Sequence, residues 1–402
     1  MKVLQINSVC GIGSTGRIAT DIHQILKSKG HESYIAYGRS EAINCEDTLR
    51  IGNRIDLYAH VASTRFFDKH GFGSKKSTRA FIQKIEKLNP DVIHLHNIHG
   101  YYLNVEILFD YLKKKNKPVV WTLHDCWSFT GHCTHFDYIE CERWRDGCYA
   151  CPQKKKYPMS NFSDNSKNNF NEKNSIFNGI KNLVLVAPSE WLANLVEKSF
   201  LKDYQLEVIN NGIDLKAFKP IESDFRKEYN ILNKFIILGV ASVWNRRKGL
   251  NFFIELAKKL NDDEVIALVG LSEKQKRELP KNIIGFTRTN NIQELAEIYS
   301  VADVFVNPTL EDNFPTTNLE AIACGTPVIT FETGGSVESI DEKTGVIVRK
   351  GELKELAQII NSMKSKTLVF EVKDLLKNAK VNYDKEKKTH EYLMLYEQIF
   401  NK

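Results

Sequence analysis

Short, apolar, β-branched runs alternate with segments of helical periodicity along almost the whole chain, and this alternation restricts the fold more than any other feature. Residues 2–8 read as a strand entering a Gly-rich turn, after which Ile18, Ile22, Ile25 and Leu26 recur at helical spacing up to Gly30. Further buried strands are predicted at 91–95, 118–123 and 183–187. A turn signal at Asn211-Gly212 opens a second series, with strands at 235–240, 265–269, 304–306 and 327–329. The pattern predicts an α/β chain of two Rossmann-like domains, residues 1–207 and 208–382. A helix over 383–402 is expected to pack back toward the first domain. Two such domains in tandem are expected to face one another across a central cleft, because open α/β sheets bind ligands beyond the carboxyl ends of their strands.

Composition narrows the class. The 402 residues suit two or three domains, and 42% apolar with 26% charged residues is a globular profile. The longest apolar stretch, 235–244, spans about ten residues, against the roughly 18 to 20 of a membrane-spanning helix. The first residues read as a strand and not as a signal peptide, so a cytoplasmic location is expected. The net charge is +6, and residues 1–200 hold 27 basic against 20 acidic residues, so the excess lies in the first half. That bias suits peripheral contact with an anionic membrane at its inner face, or an anionic substrate. A solvated surface with scattered lysines, including the runs 113–115 and 154–156, is the plain alternative. Residues 153–182, with eight Asn from 161 onward and little periodicity, read as an exposed polar insertion.

The most specific segment is 307–329. A strand ends in a loop bearing Glu311 and Asp312, a helix opens near Thr317, and Gly325-Thr326-Pro327 stops it before the next strand. The unpaired amides at that helix start, among Thr316, Thr317, Asn318 and Leu319, form a phosphate site. Glu320, one turn in, would repel a phosphate and better suits a ribose diol. Earlier, Arg246, Arg247 and Lys248 stand between a buried strand and a helix, where cations oppose the helix dipole unless an anion sits there. An exposed basic turn is the competing reading.

In the first domain, Gly11, Gly13 and Gly16 precede Arg17 between the first strand and helix, and glycines there permit close backbone approach to a ligand. His124 and Asp125 end a buried strand, as do His96 and Asn97. For each His the alternative is a satisfied core side chain.

The 307–329 block, with its Leu-Glu-Ala-Ile-Ala-Cys-Gly-Thr-Pro-Val run and the Asn-Phe-Pro loop before it, resembles the retaining glycosyltransferases of family 4, of GT-B fold and colanic-acid polysaccharide type. Their signature is Glu-x7-Glu; here Asp312 stands eight residues before Glu320 with Glu311 beside it, so either acid could face the donor sugar. The resemblance covers essentially the full length. It implies an enzyme of hexosyltransferase type that moves a sugar from a nucleoside diphosphate to a growing polysaccharide or lipid-linked glycan, with no nucleic acid as partner. Lys248-Gly249 matches the family's diphosphate-holding Lys-Gly pair. The usual Arg five residues earlier is replaced by Val243, so Arg246 or Arg247 would substitute. Gly285-Phe286 matches the turn beside the nucleobase, the Gly13–Arg17 loop reaches the donor phosphate, and His124 lies near the reacting sugar. His96, Asn97 and Asp125 fall on the acceptor side. No cofactor is required for catalysis in this reading.

Five of the eight cysteines fall between 126 and 151, and Cys133, Cys141, Cys148 and Cys151 form C-x7-C-x6-C-x2-C. A reducing compartment argues against disulfides, and the final pair has a zinc-chelating spacing, so a structural zinc or four free thiols are the two expectations. Two other functions stay in view: a GT-B sugar-nucleotide epimerase, and a non-enzymatic zinc-containing binding module.

Overall fold

The computed structural model describes residues 1–401, which divide into two compact units: 1–210 with 388–401, and 211–387. In the first unit seven strands form one parallel sheet. They are β1 (Lys2–Asn7), β2 (Glu32–Tyr37), β3 (Thr48–Arg50), β4 (Val92–Leu95), β5 (Val119–Thr122), β6 (Leu183–Ala187) and β7 (Gln205–Val208), in the order β3-β2-β1-β4-β5-β6-β7. The central strands are buried on both faces and largely apolar, with Gln5, His94 and Thr122 as buried polar positions. Leu4, Ile6, Ile93, Leu95, Trp121 and Leu185 face one buried cluster; Val3, Val92, Val120, Val184 and Val186 face the other, with Tyr392, Leu395 and Tyr396 of the C-terminal helix Lys385–Phe400.

That helix is tied to the sheet by polar contacts as well as packing. Tyr396 Oη lies 2.5 Å from His94 Nδ1, His94 Nε2 lies 2.8 Å from Thr122 Oγ1, and Thr122 Oγ1 lies 3.1 Å from Tyr392 Oη. The units part at 210/211 and 387/388, a few residues beyond the divisions expected from the sequence. Ile209 N–H donates to Ala187 O and Asn210 Nδ2 to Pro188 O, extending the first unit past β7. Ile213 N–H donates to Tyr383 O and Lys385 N–H donates to Ile213 O, which holds 383–387 to the second unit.

The polar segment is not an irregular insertion throughout. Within 153–182 the chain forms a helix, Ser166–Phe177, whose buried positions are Ser166, Asn169, Phe170, Lys173 and Phe177. The spacing is helical, but three of the five are polar, so the hydrophobic pattern does not reveal it. Lys173 is fully enclosed: its ammonium donates to the carbonyls of Trp127 (2.7 Å) and Thr130 (3.0 Å) and lies 3.4 Å from the Trp127 ring centre. Loss of hydration draws this amine down to about 7.

The second unit carries six parallel strands: β8 (Phe235–Val240), β9 (Glu264–Val269), β10 (Ile283–Phe286), β11 (Val304–Asn307), β12 (Val328–Phe331) and β13 (Gly345–Val348), in the order β10-β9-β8-β11-β12-β13. Ile236, Leu238, Val265, Ala267, Phe305 and Val328 build its core with Leu319 and Ile322 of the helix Thr316–Ala323. In both units the strand order reverses at one place, between β1 and β4 and between β8 and β11. The loops leaving those strands are where a doubly wound sheet leaves room for a ligand.

Candidate active site

In the second unit the two loops at the switch point interlock. β8 leads to Trp244, whose indole N–H donates to Val269 O at 2.8 Å and anchors the turn 245–249. Gly249 adopts φ +79°, and a Cβ there would lie 2.2 Å from Pro308 O, so no larger residue lets this turn close on the loop after β11. Leu310 N–H donates to Arg247 O at 2.8 Å, and Arg247 Nη1 donates to Glu311 O at 2.9 Å. Lys248 Nζ donates to Asp312 Oδ2. The basic turn and the acidic loop, 64 residues apart, are therefore one site.

Glu311 is buried, its carboxylate 3.9 Å from Arg247 Nε, whereas Arg246 is exposed. The helix opens at Thr316 with Pro315 as its cap and no side-chain cap. Asn318 N–H is taken by Pro315 O at 3.2 Å, and the Asn318 side chain bonds inward to Ser339 and Asn307. With Pro315 as its cap, the helix carries the amides of Thr316 and Thr317 at its first two positions, where an α-helix has no intrahelical acceptor for them; both are among the four read from the sequence. Leu319 is wholly buried. Glu320 is also buried, and Tyr299 Oη donates to its carboxylate at 2.9 Å, a partner that motif reading missed. Gly285 and Phe286 end β10, where Phe286 O accepts the amides of Gly270 and Leu271 and its ring packs on Phe225 and Tyr229.

In the first unit, Gly13 and Gly16 lie in the first turn of the helix Gly13–Ser28 and not in a free loop; Gly11 at φ +72° makes the turn, and Arg17 is exposed. A polar relay runs inward from the end of β5. Gln5 Nε2 donates to Ala19 O (3.0 Å), so Gln5 Oε1 accepts from His96 Nε2 (3.0 Å), and His96 Nδ1 accepts from His124 Nε2 (3.1 Å). That order fixes the His124 tautomer with the proton on Nε2 and makes Nδ1 its basic, accepting nitrogen. Burial pulls the His124 imidazole down to about 4, against the pull of Asp125, and also holds His96 well below its usual range. Both are neutral near pH 7.

Asp125 is held by partners within the first unit. It binds His99 Nε2 at 2.8 Å and accepts the Trp127 amide at 2.9 Å. Burial pushes this carboxyl up, but the charge and hydrogen bond of His99 prevail and hold it down to about 2. His99, unassigned from the motif, also lies 3.2 Å from Tyr157 Oη. Asn97 is fixed through its backbone, its amide toward Asn7 and its carbonyl toward Tyr102.

Cys133, Cys141, Cys148 and Cys151 all line one small cavity with Phe136 and Trp144, and none of them is in a disulfide. Cys148 Sγ accepts the Gly131 amide at 3.1 Å. Among the described residues no three His, Cys, Asp or Glu side chains already stand in an ion-holding arrangement.

Residues 15–217 match the model of Glycosyltransferase Family 4, and residues 234–365 match that of Glycosyl transferases group 1. The chain belongs to glycosyltransferase family 4. A protein of Escherichia coli K12 named as a colanic acid biosynthesis glycosyl transferase, WcaC, is 25% identical over 99% of this chain and 100% of its own length. The N,N'-diacetylbacillosaminyl-diphospho-undecaprenol alpha-1,3-N-acetylgalactosaminyltransferase of Campylobacter jejuni is 29% identical over 50% of this chain and 56% of its own. The crystal structure of Anabaena HepE in complex with UDP superposes with a TM-score of 0.69 at 16% identity, covering 99% of this chain and 100% of that one. The fold of this glycosyltransferase is accordingly GT-B.

Proposed function

We propose that this glycosyltransferase takes a sugar from a nucleoside diphosphate and transfers it, with retention at the anomeric carbon, to a growing polysaccharide or a lipid-linked glycan. The observation that carries the reading is the union of Lys248, Arg247 and the amides of Thr316 and Thr317 at the β8/β11 switch point. As the glycosidic bond breaks, negative charge grows on the diphosphate, and preplaced cations and amides stabilise it without reorganising. Glu320, its rotamer held by Tyr299, takes the ribose diol, and Phe286 borders the base. One of the two acids, Glu311 or Asp312, orients the donor sugar.

His124 contributes an accepting Nδ1 for a sugar hydroxyl, with His96 and Gln5 fixing its tautomer. Asp125, bonded to His99, positions the loop and does not accept the acceptor's proton. Support for the acceptor class comes from the relatives: one is named for colanic acid biosynthesis, the other for a sugar carried on diphospho-undecaprenol. A structural zinc on Cys133, Cys141, Cys148 and Cys151 belongs to the same proposal; its support is that the four thiols share one cavity in a segment with only two single-turn helices.

The test is product analysis. Incubation with a panel of nucleotide sugars and a lipid-linked acceptor should release free nucleoside diphosphate and give a glycoside of the donor's own anomeric configuration by NMR. A rearranged nucleotide sugar formed without acceptor, or an inverted glycoside, overturns the reading.

A further inference from the structure

Tyr157 is turned the wrong way round for a surface tyrosine. Such a side chain commonly packs its ring inward and gives its hydroxyl to water. Here the ring is 42% exposed, while Tyr157 Oη lies 3.2 Å from His99 Nδ1 and the chain turns inward at the buried Pro158. His99 Nε2, 2.8 Å from Asp125 Oδ2, carries the proton that the carboxylate accepts, so Nδ1 is left as the acceptor for the Tyr157 hydroxyl. Burial of that hydroxyl end holds the phenol above its usual range.

The ring is also braced. Its centre lies 5.6 Å from that of His70 and 6.0 Å from that of Tyr101, both nearly perpendicular to it, and 6.0 Å from that of His99. Tyr101 holds φ +70° directly after Gly100 at +114°, a left-handed backbone that a bulky side chain adopts only when its surroundings impose it. His70 Nε2 accepts the Gly100 amide at 3.1 Å, which puts the His70 proton on Nδ1, and that nitrogen is buried with no hydrogen-bond partner among the described residues. A cluster kept for stability alone would carry an apolar side chain in place of His70, since an unpaired buried donor is destabilising. The arrangement instead fixes one outward aromatic ring near the end of β5.

The surroundings of that ring are polar. Asp125, two hydrogen bonds away, and His124, which precedes it, are partly exposed between the buried Leu123 and Cys126. A ligand here must offer an apolar face to the ring and hydrogen-bonding groups at its edge. An acyl chain would gain from the ring but leave the Asp125 carboxylate and His124 Nδ1 dehydrated and unpaired. A pyranose has both surfaces, C–H bonds across one face and hydroxyls around the rim.

We propose that Tyr157 is the stacking platform for the terminal pyranose of the acceptor, and so a specificity-determining residue. This rests on the transferase reading above and deepens it: the acceptor ends in a sugar ring with an unbroken C–H face and not in a bare lipid phosphate.

Tyr157→Phe and Tyr157→Leu test this as a pair. Both lose the hydroxyl that binds His99, so any effect of that loss on the fold is common to them, and only the leucine variant loses the aromatic face. Saturation-transfer NMR with the methyl glycosides of glucose, galactose, mannose and N-acetylglucosamine supplies the readout. At least one glycoside should bind the parent through its ring C–H protons, bind the phenylalanine variant within about threefold of the parent, and bind the leucine variant about tenfold more weakly or not at all. The affinities of both variants for UDP, GDP and ADP should match those of the parent. Binding of no glycoside, equal losses in the two variants, or an undiminished signal in Tyr157→Leu overturns the proposal. Failure of the transfer reaction with the difference between the variants intact would count against the proposed function alone.

Discussion

Lys248 donates to the carboxylate of Asp312, which joins the turn after β8 to the loop after β11. The Lys248 side chain is 22% exposed, and Asp312, which holds its ammonium, lies four residues before the helix start at Thr316. In the proposed function a diphosphate would exchange one anionic partner of Lys248 for another, a preorganisation that stabilises a leaving group.

Lys248→Ala should therefore lower kcat by about 10²-fold or more, because the loss falls on charge developed in the transition state. Steady-state kinetics on the folded variant checks this. Turnover within about threefold of the parent would remove Lys248 from the reaction.

His124 gives a second expectation. Its pKa of about 4 keeps it neutral well below the usual histidine range. The profile of kcat/KM against pH should show no inflection from this residue near 6.5, and His124→Ala should lower turnover without moving any limb in that region. An acid limb near 6.5 that vanishes in the variant would contradict the assigned protonation state.

Stability should fall on mild acidification. Burial holds His60 at about 4 and His70, His94 and His96 well below 6.5, so between about pH 6.5 and 4 the unfolded chain binds protons that the folded chain refuses. Stability therefore drops as pH falls through that window, by up to about 3 kcal/mol from His60 alone. Melting curves from about pH 7 to about pH 4.5 should shift steadily downward, and a flat profile would contradict the buried, neutral histidines.

Protein purified without added metal should carry close to one zinc if the four thiolates hold it, and removal by chelator should loosen the segment after Asp125. Less than about 0.3 equivalents by elemental analysis would leave free thiols as the reading.

The central strands of both sheets were legible in the sequence because parallel strands buried on two faces leave runs such as Ile236–Leu238 and Val184–Val186 that need no alternation, whereas β2, β3, β7, β10 and β13, at or next to the sheet edges, were not. The union of Lys248 with the 311–316 loop was legible too, since cations and an acidic loop at successive strand ends have one natural meeting place in this topology. The helix Ser166–Phe177 was not, because its inward positions include Ser166, Asn169 and Lys173; burying a lysine depends on the two carbonyls that receive it, and those lie 43 and 46 residues away. His99 and Tyr299 were missed for the same reason. Their roles come from Asp125 and Glu320 across the fold, and no local spacing encodes them. The exposed stripe of Ile55, Tyr58 and Phe66 on the helix Arg54–Phe67 shows the converse: helical apolar spacing predicts a buried face, and only the structure shows that face turned outward.

The proposed function places a nucleoside diphosphate at the β8/β11 switch point, held by Lys248 and the amides of Thr316 and Thr317. Calorimetric titration of UDP, GDP and ADP into the parent and Lys248→Ala proteins tests it most directly. The account predicts that one of the three binds the parent and that the variant weakens that affinity by about tenfold or more, close to 1.4 kcal/mol. Binding of none of them, or equal affinity for both proteins, would contradict it.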